Sequence, residues 1–367
     1  MLTRRTVIAG ASAITAGGVA GWAAWPGTDP RYAASAAESR RSLATWPEDV
    51  RLRTLEIVRY ATLAANSHNT QPWLFEADAE SLHIRPDLAR RCPIVDPEDR
   101  HVVASLGCAT ENLVLAAAAA GWHADVQFQP AARRVSTTFS RRQPHQSSAY
   151  TAIPNRQTTR TVFDPTPLSL DELHALEAAA IVPGVRARFL TARTDLNRLK
   201  AFVIAGNTAQ CQDPAFVAEL RDWIRFNQSH AAGTGDGLYS GSTGNPALPR
   251  WLGRQIFSHV FTADTENPKY EAQIDGSAGA VVLYAEQDGP EGWFNVGRVS
   301  QRFQLEATAR DVRSSFINQP VEVAHVRSDF TGWLGDGLRP ALVLRFGRGE
   351  LMSPSLRRPV AHVLRWT

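Results

Sequence analysis

The amino-acid sequence predicts an α+β fold built from two related halves. Three observations point to it. Helical patterns of apolar residues alternate with short strand-like runs, as where residues 47–65 lead into 73–77 and 81–84. Two long helices, 101–120, almost wholly small and apolar after Leu106, and 295–310, match when Gly107 is set on Gly297: Leu115 then falls on Leu305 and Ala117 on Ala307. A chain of 367 residues is also long enough to bury the cores of two such units.

Taken in order, Arg4-Arg5 precedes residues 9–25, which are small or apolar and carry no charge, the layout of a secretion signal. Cleavage is expected after residues 33–36, and residues 26–42 read as an Ala-rich linker. An uncleaved membrane anchor and a disordered tail are the alternatives. The expected organisation is therefore signal and linker over 1–41, a first half over 42–146 and a second over 147–367. Pro47-Glu48-Asp49 supplies an acidic first turn for the helix over 47–65. Asp96-Pro97-Glu98-Asp99-Arg100-His101 reads as the start of the apolar helix behind it rather than as a metal site, because further ligands are not arranged nearby. In the second half, helices are expected over 170–180 and 202–226 and strands over 277–284 and 340–346. Residues 230–249, rich in Gly, Ser, Thr and Asn, show no period and read as a lid or a disordered loop.

Composition excludes several function classes. An apolar share of 44% with 20% charged residues is that of a soluble globular protein, and a net charge of +3 gives no reason to invoke nucleic acid. Cys92, Cys108 and Cys211 are too few and too scattered for a disulfide framework or a metal knuckle. No Ser-His-Asp or Cys-His arrangement stands in recognisable context, so no catalytic residue is assigned.

Three stretches carry the chemistry that remains. Between the helix over 47–65 and the strand over 73–77, Ser67, Asn69, Thr70 and Gln71 offer hydroxyl and amide groups, Pro72 stops the helix, and Trp73 offers a flat apolar wall. The same residues also suit a helix C-cap with Asn66 or Asn69 left-handed, and both readings can hold. Arg156-Gln157-Thr158-Thr159-Arg160 sets two guanidiniums four residues apart with hydroxyls between them, either a phosphate clamp or a solvated basic loop. Arg357-Arg358 near the C-terminus adds a third basic group.

Asn66-Ser67-His68-Asn69-Thr70-Gln71-Pro72-Trp73 resembles the Ser-x-Asn-x-Gln-Pro-Trp signature of the nitroreductase superfamily, and Arg156–Phe163 resembles that superfamily's Arg-x-Ser-x-Arg/Lys-x-Phe element, with Thr158 standing for the serine. The order is inverted: the Gln-Pro-Trp turn precedes the Arg-rich element, and the second half has no such turn of its own. The resemblance implies a nitroreductase-like fold in which two halves of one chain imitate the usual homodimer, as in the Acg family of internally duplicated flavoproteins. It implies one FMN, its ring beside Ser67, Asn69 and Gln71 and its phosphate side held by Arg156, Gln157, Thr158, Arg160, Arg357 and Arg358. The implied activity is reduction of a nitro-aromatic, quinone or other small-molecule electron acceptor, with NAD(P)H or another donor. The alternative is an exported FMN-sequestering protein without turnover. The N-terminus resembles a twin-arginine signal, which implies export, already folded, to the periplasm or cell envelope and membrane contact through that segment alone.

Overall fold

The computed structural model describes residues 29–335 and 337–367, so the expected signal at residues 4–25 lies outside it. Helix α1 (Pro30–Arg40) is started by Asp29, whose carboxylate accepts from the Arg31 amide, with Pro30 in the first turn; Asp49 does the same for α2 (Val50–Thr62) through the Leu52 amide. The first half continues with β1 (Trp73–Ala77), β2 (Ser81–Pro86), α3 (Arg100–Ala119), β3 (Trp122–Gln129) and β4 (Arg134–Arg141). The second half contains α4 (Leu170–Ala179), β5 (Val185–Leu190), α5 (Arg193–Gln212), α6 (Pro214–Trp223), α7 (Gln228–Thr234), α8 (Arg250–Val260) and α9 (Ala263–Asp275). It ends with β6 (Gly279–Ala285), α10 (Pro290–Ala309), β7 (Arg313–Phe316), α11 (Ala324–Leu334), β8 (Pro340–Gly347) and β9 (Leu364–Trp366).

The two main sheets share one strand order. The first runs β1-β2-β4-β3 and the second β5-β6-β8-β7, with every neighbouring pair antiparallel. Strand β9 then joins the first sheet, parallel to β1, so the C-terminus of the second half completes the sheet of the first. Between the sheets, α3 and α10 cross at their glycines. A Cβ on Gly107 would lie 2.1 Å from the Phe294 carbonyl oxygen, and one on Gly297 would lie 2.0 Å from the Ala104 carbonyl oxygen. Phe294 precedes Gly297 by three residues, as Ala104 precedes Gly107. The contact is therefore reciprocal, the hallmark of an isologous interface, here made within one chain. Around it, Gln301 donates to Asn112 at 2.8 Å, and Glu111 pairs with Arg298 at 2.9 Å and Arg302 at 2.6 Å. The α+β class and the two-half arrangement are both present.

Several local expectations are corrected. The linker contains α1, in which Tyr32 and Ala36 are buried and the Tyr32 hydroxyl donates to the Pro354 carbonyl at 2.5 Å. The helix expected over 202–226 is two, broken where Asp213 leaves helical geometry and caps α6 ahead of Pro214. Residues 230–249 are not patternless: they contain most of α7 and the short strand Leu238–Tyr239, paired with Ile224–Arg225. Asp96 does start α3, accepting from the amides of His101 and Val102 at 2.8 and 3.2 Å.

Candidate functional site

The turn after α2 is held in an unusual shape. His68, Asn69 and Gln71 all have positive φ, at 46°, 53° and 54°, a region that non-glycine residues enter at a cost and that Asn tolerates best. Side-chain amides hold it there. Asn66 Oδ1 accepts from the Gln71 backbone amide at 2.8 Å; Asn69 Nδ2 donates to the carbonyls of Gly237 and Leu356; Gln71 Nε2 donates to Gly235 O at 2.8 Å, and Gln71 Oε1 accepts from the Arg358 backbone amide. The turn is thus fastened from behind by residues 235–237 and 356–358, which leaves residues 65–68 facing a cavity.

That cavity is where the halves meet. Ser67 and His68 border it from the turn, His101 and Cys108 from α3, and Thr158 and Arg160 from the Arg-rich element. It encloses about 230 Å³, more than the roughly 150 Å³ in which an apolar protein cavity accommodates benzene, so it is sized for an organic ring system rather than for an ion or a lone water. One wall is apolar, with Phe216 and Leu220 of α6 and Phe257 of α8; another is polar, with Gln210, Gln319 and Glu322. Two cations serve it. Arg160 donates to the Ser242 carbonyl at 3.3 Å, and burial lowers its pKa. Lys269, one of two lysines in the chain, reaches Asn245 Oδ1 at 3.0 Å and Glu266 at 2.7 Å.

The residues singled out from sequence divide sharply. Ser67, Thr158 and Arg160 border the cavity. Asn69, Gln71 and Arg358 do not: their polar groups are spent on the turn itself, Arg358 donating to Gln71 O at 2.6 Å and Trp73 O at 3.1 Å. Arg156 and Arg357 are buried at the C-terminal end of α2, where unpaired carbonyls and the helix dipole attract cations. Arg357 donates to Thr62 O at 2.5 Å and to Leu63 O and Ala64 O at 3.2 Å; Arg156 donates to Leu63 O at 2.8 Å. Burial lowers both pKa values, that of Arg156 to about 10, with neighbouring guanidiniums adding to the effect. Gln157 is half-buried and does not border the cavity, and Trp73, expected as a wall, is fully buried in the core. The physical reason is common to the arginines and amides: most of their polar atoms already bond to nearby groups, chiefly backbone carbonyls and amides.

Sequence reasoning missed His101, Gln210, Lys269, Gln319 and Glu322 as cavity residues. His101 was visible in the acidic helix start, and the rarity of lysine marked Lys269; Gln210, Gln319 and Glu322 gave no signal. Burial pushes His68 down to about 4, helped by the positive fields of Arg160 and His101, so that its ring is neutral near pH 7.

No protein-family model matches the chain. Over 338 residues it is 27% identical to a protein of Mycobacterium tuberculosis (strain ATCC 25618 / H37Rv) whose name proposes an NAD(P)H nitroreductase; the match spans 88% of this chain and 93% of that one. A second protein of that strain, uncharacterised by name, is 24% identical over 323 residues, spanning 84% of this chain and 91% of the other. Among solved structures, the FMN-dependent nitroreductase NfnB of Mycobacterium smegmatis, in complex with NADPH, is 12% identical with a TM-score of 0.40, over 60% of this chain and 98% of that one. Both relatives match this chain over most of its length and most of their own.

Proposed function

We propose that the protein is an FMN-dependent oxidoreductase of nitroreductase type, whose single chain does the work of a two-subunit enzyme. The observation that carries this reading is the shared cavity, bordered by Ser67 from one half and by Thr158 and Arg160 from the other. Its donors and cations fit a phosphate-bearing polar heterocycle. Arg160 would hold the phosphate with Thr158, and Ser67 would contact the ring, while Phe216 and Phe257 exclude water from the opposite side. Bound FMN would supply hydride and electron transfer. The matching strand orders and reciprocal glycines support an internal duplication of Acg type. NAD(P)H is the proposed donor, on the strength of the relative's name, and a nitro-aromatic or quinone the proposed acceptor. Export through a twin-arginine signal remains part of the proposal on the sequence of residues 3–25 alone.

A second reading is favoured by one observation. Asn69 and Gln71 tie residues 235–237 to the turn, closing that side of the site as a sequestering protein would. Anaerobic NADPH with a nitro-aromatic separates the two. Bleaching of the flavin absorbance followed by loss of the nitro compound supports turnover; persistent yellow colour supports sequestration.

A further inference from the structure

Two atoms on residues bordering the cavity have no hydrogen-bond partner among the described residues, although each residue is only 6% exposed: His101 Nε2 and Gln319 Oε1. Buried polar groups in folded proteins are nearly always paired, so unpaired ones beside a cavity mark where a ligand atom belongs. One comes from each half.

His101 is anchored through its backbone, and its ring faces Glu322. Asp96 accepts from its backbone amide at 2.8 Å, Ser105 donates to its carbonyl at 2.6 Å, and its Nδ1 lies 3.8 Å from Glu322 Oε1. Glu322 is itself held, accepting from Gln210 Nε2 at 2.7 Å through its other oxygen. Burial pushes the Glu322 carboxyl up. Nε2 pairs with a ligand carbonyl or nitro oxygen by donating, with the ring hydrogen on that nitrogen and Nδ1 turned to Glu322.

We propose that His101 Nε2 donates a hydrogen bond to a ring-borne oxygen of the ligand in this cavity, with Glu322 as the residue that positions the imidazole. This rests on the reading of the cavity as a flavin site. The oxygen has two sources with the same chemistry, the dione edge of the flavin or a carbonyl or nitro oxygen of the acceptor.

The experiment uses the full chain labelled with 15N-histidine, first free of flavin, then with FMN, then with FMN and 1,4-naphthoquinone. Movement of the His101 Nε2 resonance on adding FMN assigns the flavin oxygen; movement only with naphthoquinone assigns the acceptor. His101→Phe should weaken the matching step about tenfold, in FMN affinity for the first source or in naphthoquinone KM more than kcat for the second. Glu322→Gln should shift the resonances of both His101 ring nitrogens before any ligand is added, a signature that lost packing alone would not give. An unmoved His101 resonance with both probes, in wild-type protein that binds FMN, overturns the proposal and leaves the flavin reading intact. Protein that binds no FMN overturns both.

Discussion

Replacing Gly297 by alanine sets two effects of opposite sign against each other. Alanine in a helix interior is favoured over glycine by about 1 kcal/mol, so propensity alone would stabilise the protein. Its methyl carbon, however, would stand 2.0 Å from the Ala104 carbonyl oxygen and 2.7 Å from its carbonyl carbon. Relief requires α3 and α10 to separate by more than an ångström, because the clash is with backbone and no rotamer change removes it. Overpacking of a tight core costs about 1–3 kcal/mol and sometimes more; a backbone clash belongs at the upper end, leaving a net loss of about 2 kcal/mol. Unfolding entropy near 2.1 cal/mol/K per residue gives about 0.8 kcal/mol/K for 367 residues. The expected fall in Tm is therefore about 3 °C, measured by calorimetry with the flavin state held constant. Gly107→Ala should behave alike, since its methyl would stand 2.1 Å from the Phe294 carbonyl oxygen. The double variant should cost less than the sum, because one separation relieves both clashes. A Gly297→Ala protein more stable than wild type would refute the reciprocal crossing.

Arg357→Met should cost about 1–3 kcal/mol in urea denaturation, since it strands the carbonyl of Thr62, whereas those of Leu63 and Ala64 keep Arg156 and Asn66 as donors; a change within about 0.5 kcal/mol would contradict the capping role. Arg160→Ala should weaken FMN retention about ten- to hundredfold with little change in Tm, whereas Arg358→Ala, which loses its bonds to Gln71 and Trp73, should lower Tm first; equal flavin loss in both would remove the distinction between cavity and scaffold arginines. Stability should also fall with acid. His68 and His230 are each depressed from 6.5 to about 4 by burial, so the unfolded chain binds protons that the folded chain does not; their contribution is complete above pH 6.5 and declines as pH falls through 4. Denaturation series between pH 7 and 4 test this, and a His68→Asn variant with an unchanged acid slope would contradict it.

The elements legible in the sequence were those whose signal is local. Strand β6 and helix α3 declare themselves by continuous apolar runs, strand β1 by alternation, and helix α10 by its helical period and the glycine it shares with α3. Hairpin β3–β4 does not, because alternate residues such as His123, Gln127 and Gln129 face solvent and the connection bends at Arg133, with φ of 48°, rather than at a glycine. At the site, the amide-rich turn was visible as chemistry, but not as the C-cap it also suggested: α2 ends at Leu63 and Asn66 is extended, while Asn69, which is left-handed, and Gln71 serve the backbone of distant residues and Ser67 faces the cavity. Which residue did which depended on Gly235, Gly237 and Leu356, some 165 to 290 residues away in sequence. No periodicity carries that information. Arg156 and Arg357 misled for the same reason: a guanidinium that clamps a phosphate and one that caps a helix look identical until the carbonyls of Thr62 and Leu63 are placed beside them.

The most direct measurement is the flavin content of the full chain purified under mild conditions, from the visible spectrum and from FMN released on heating, set against the molar mass in solution. One FMN per chain, retained when the protein is monomeric, is the result expected if the two halves together build a single site. Two FMN per chain, or flavin present only in a dimer and lost on dissociation, would contradict it.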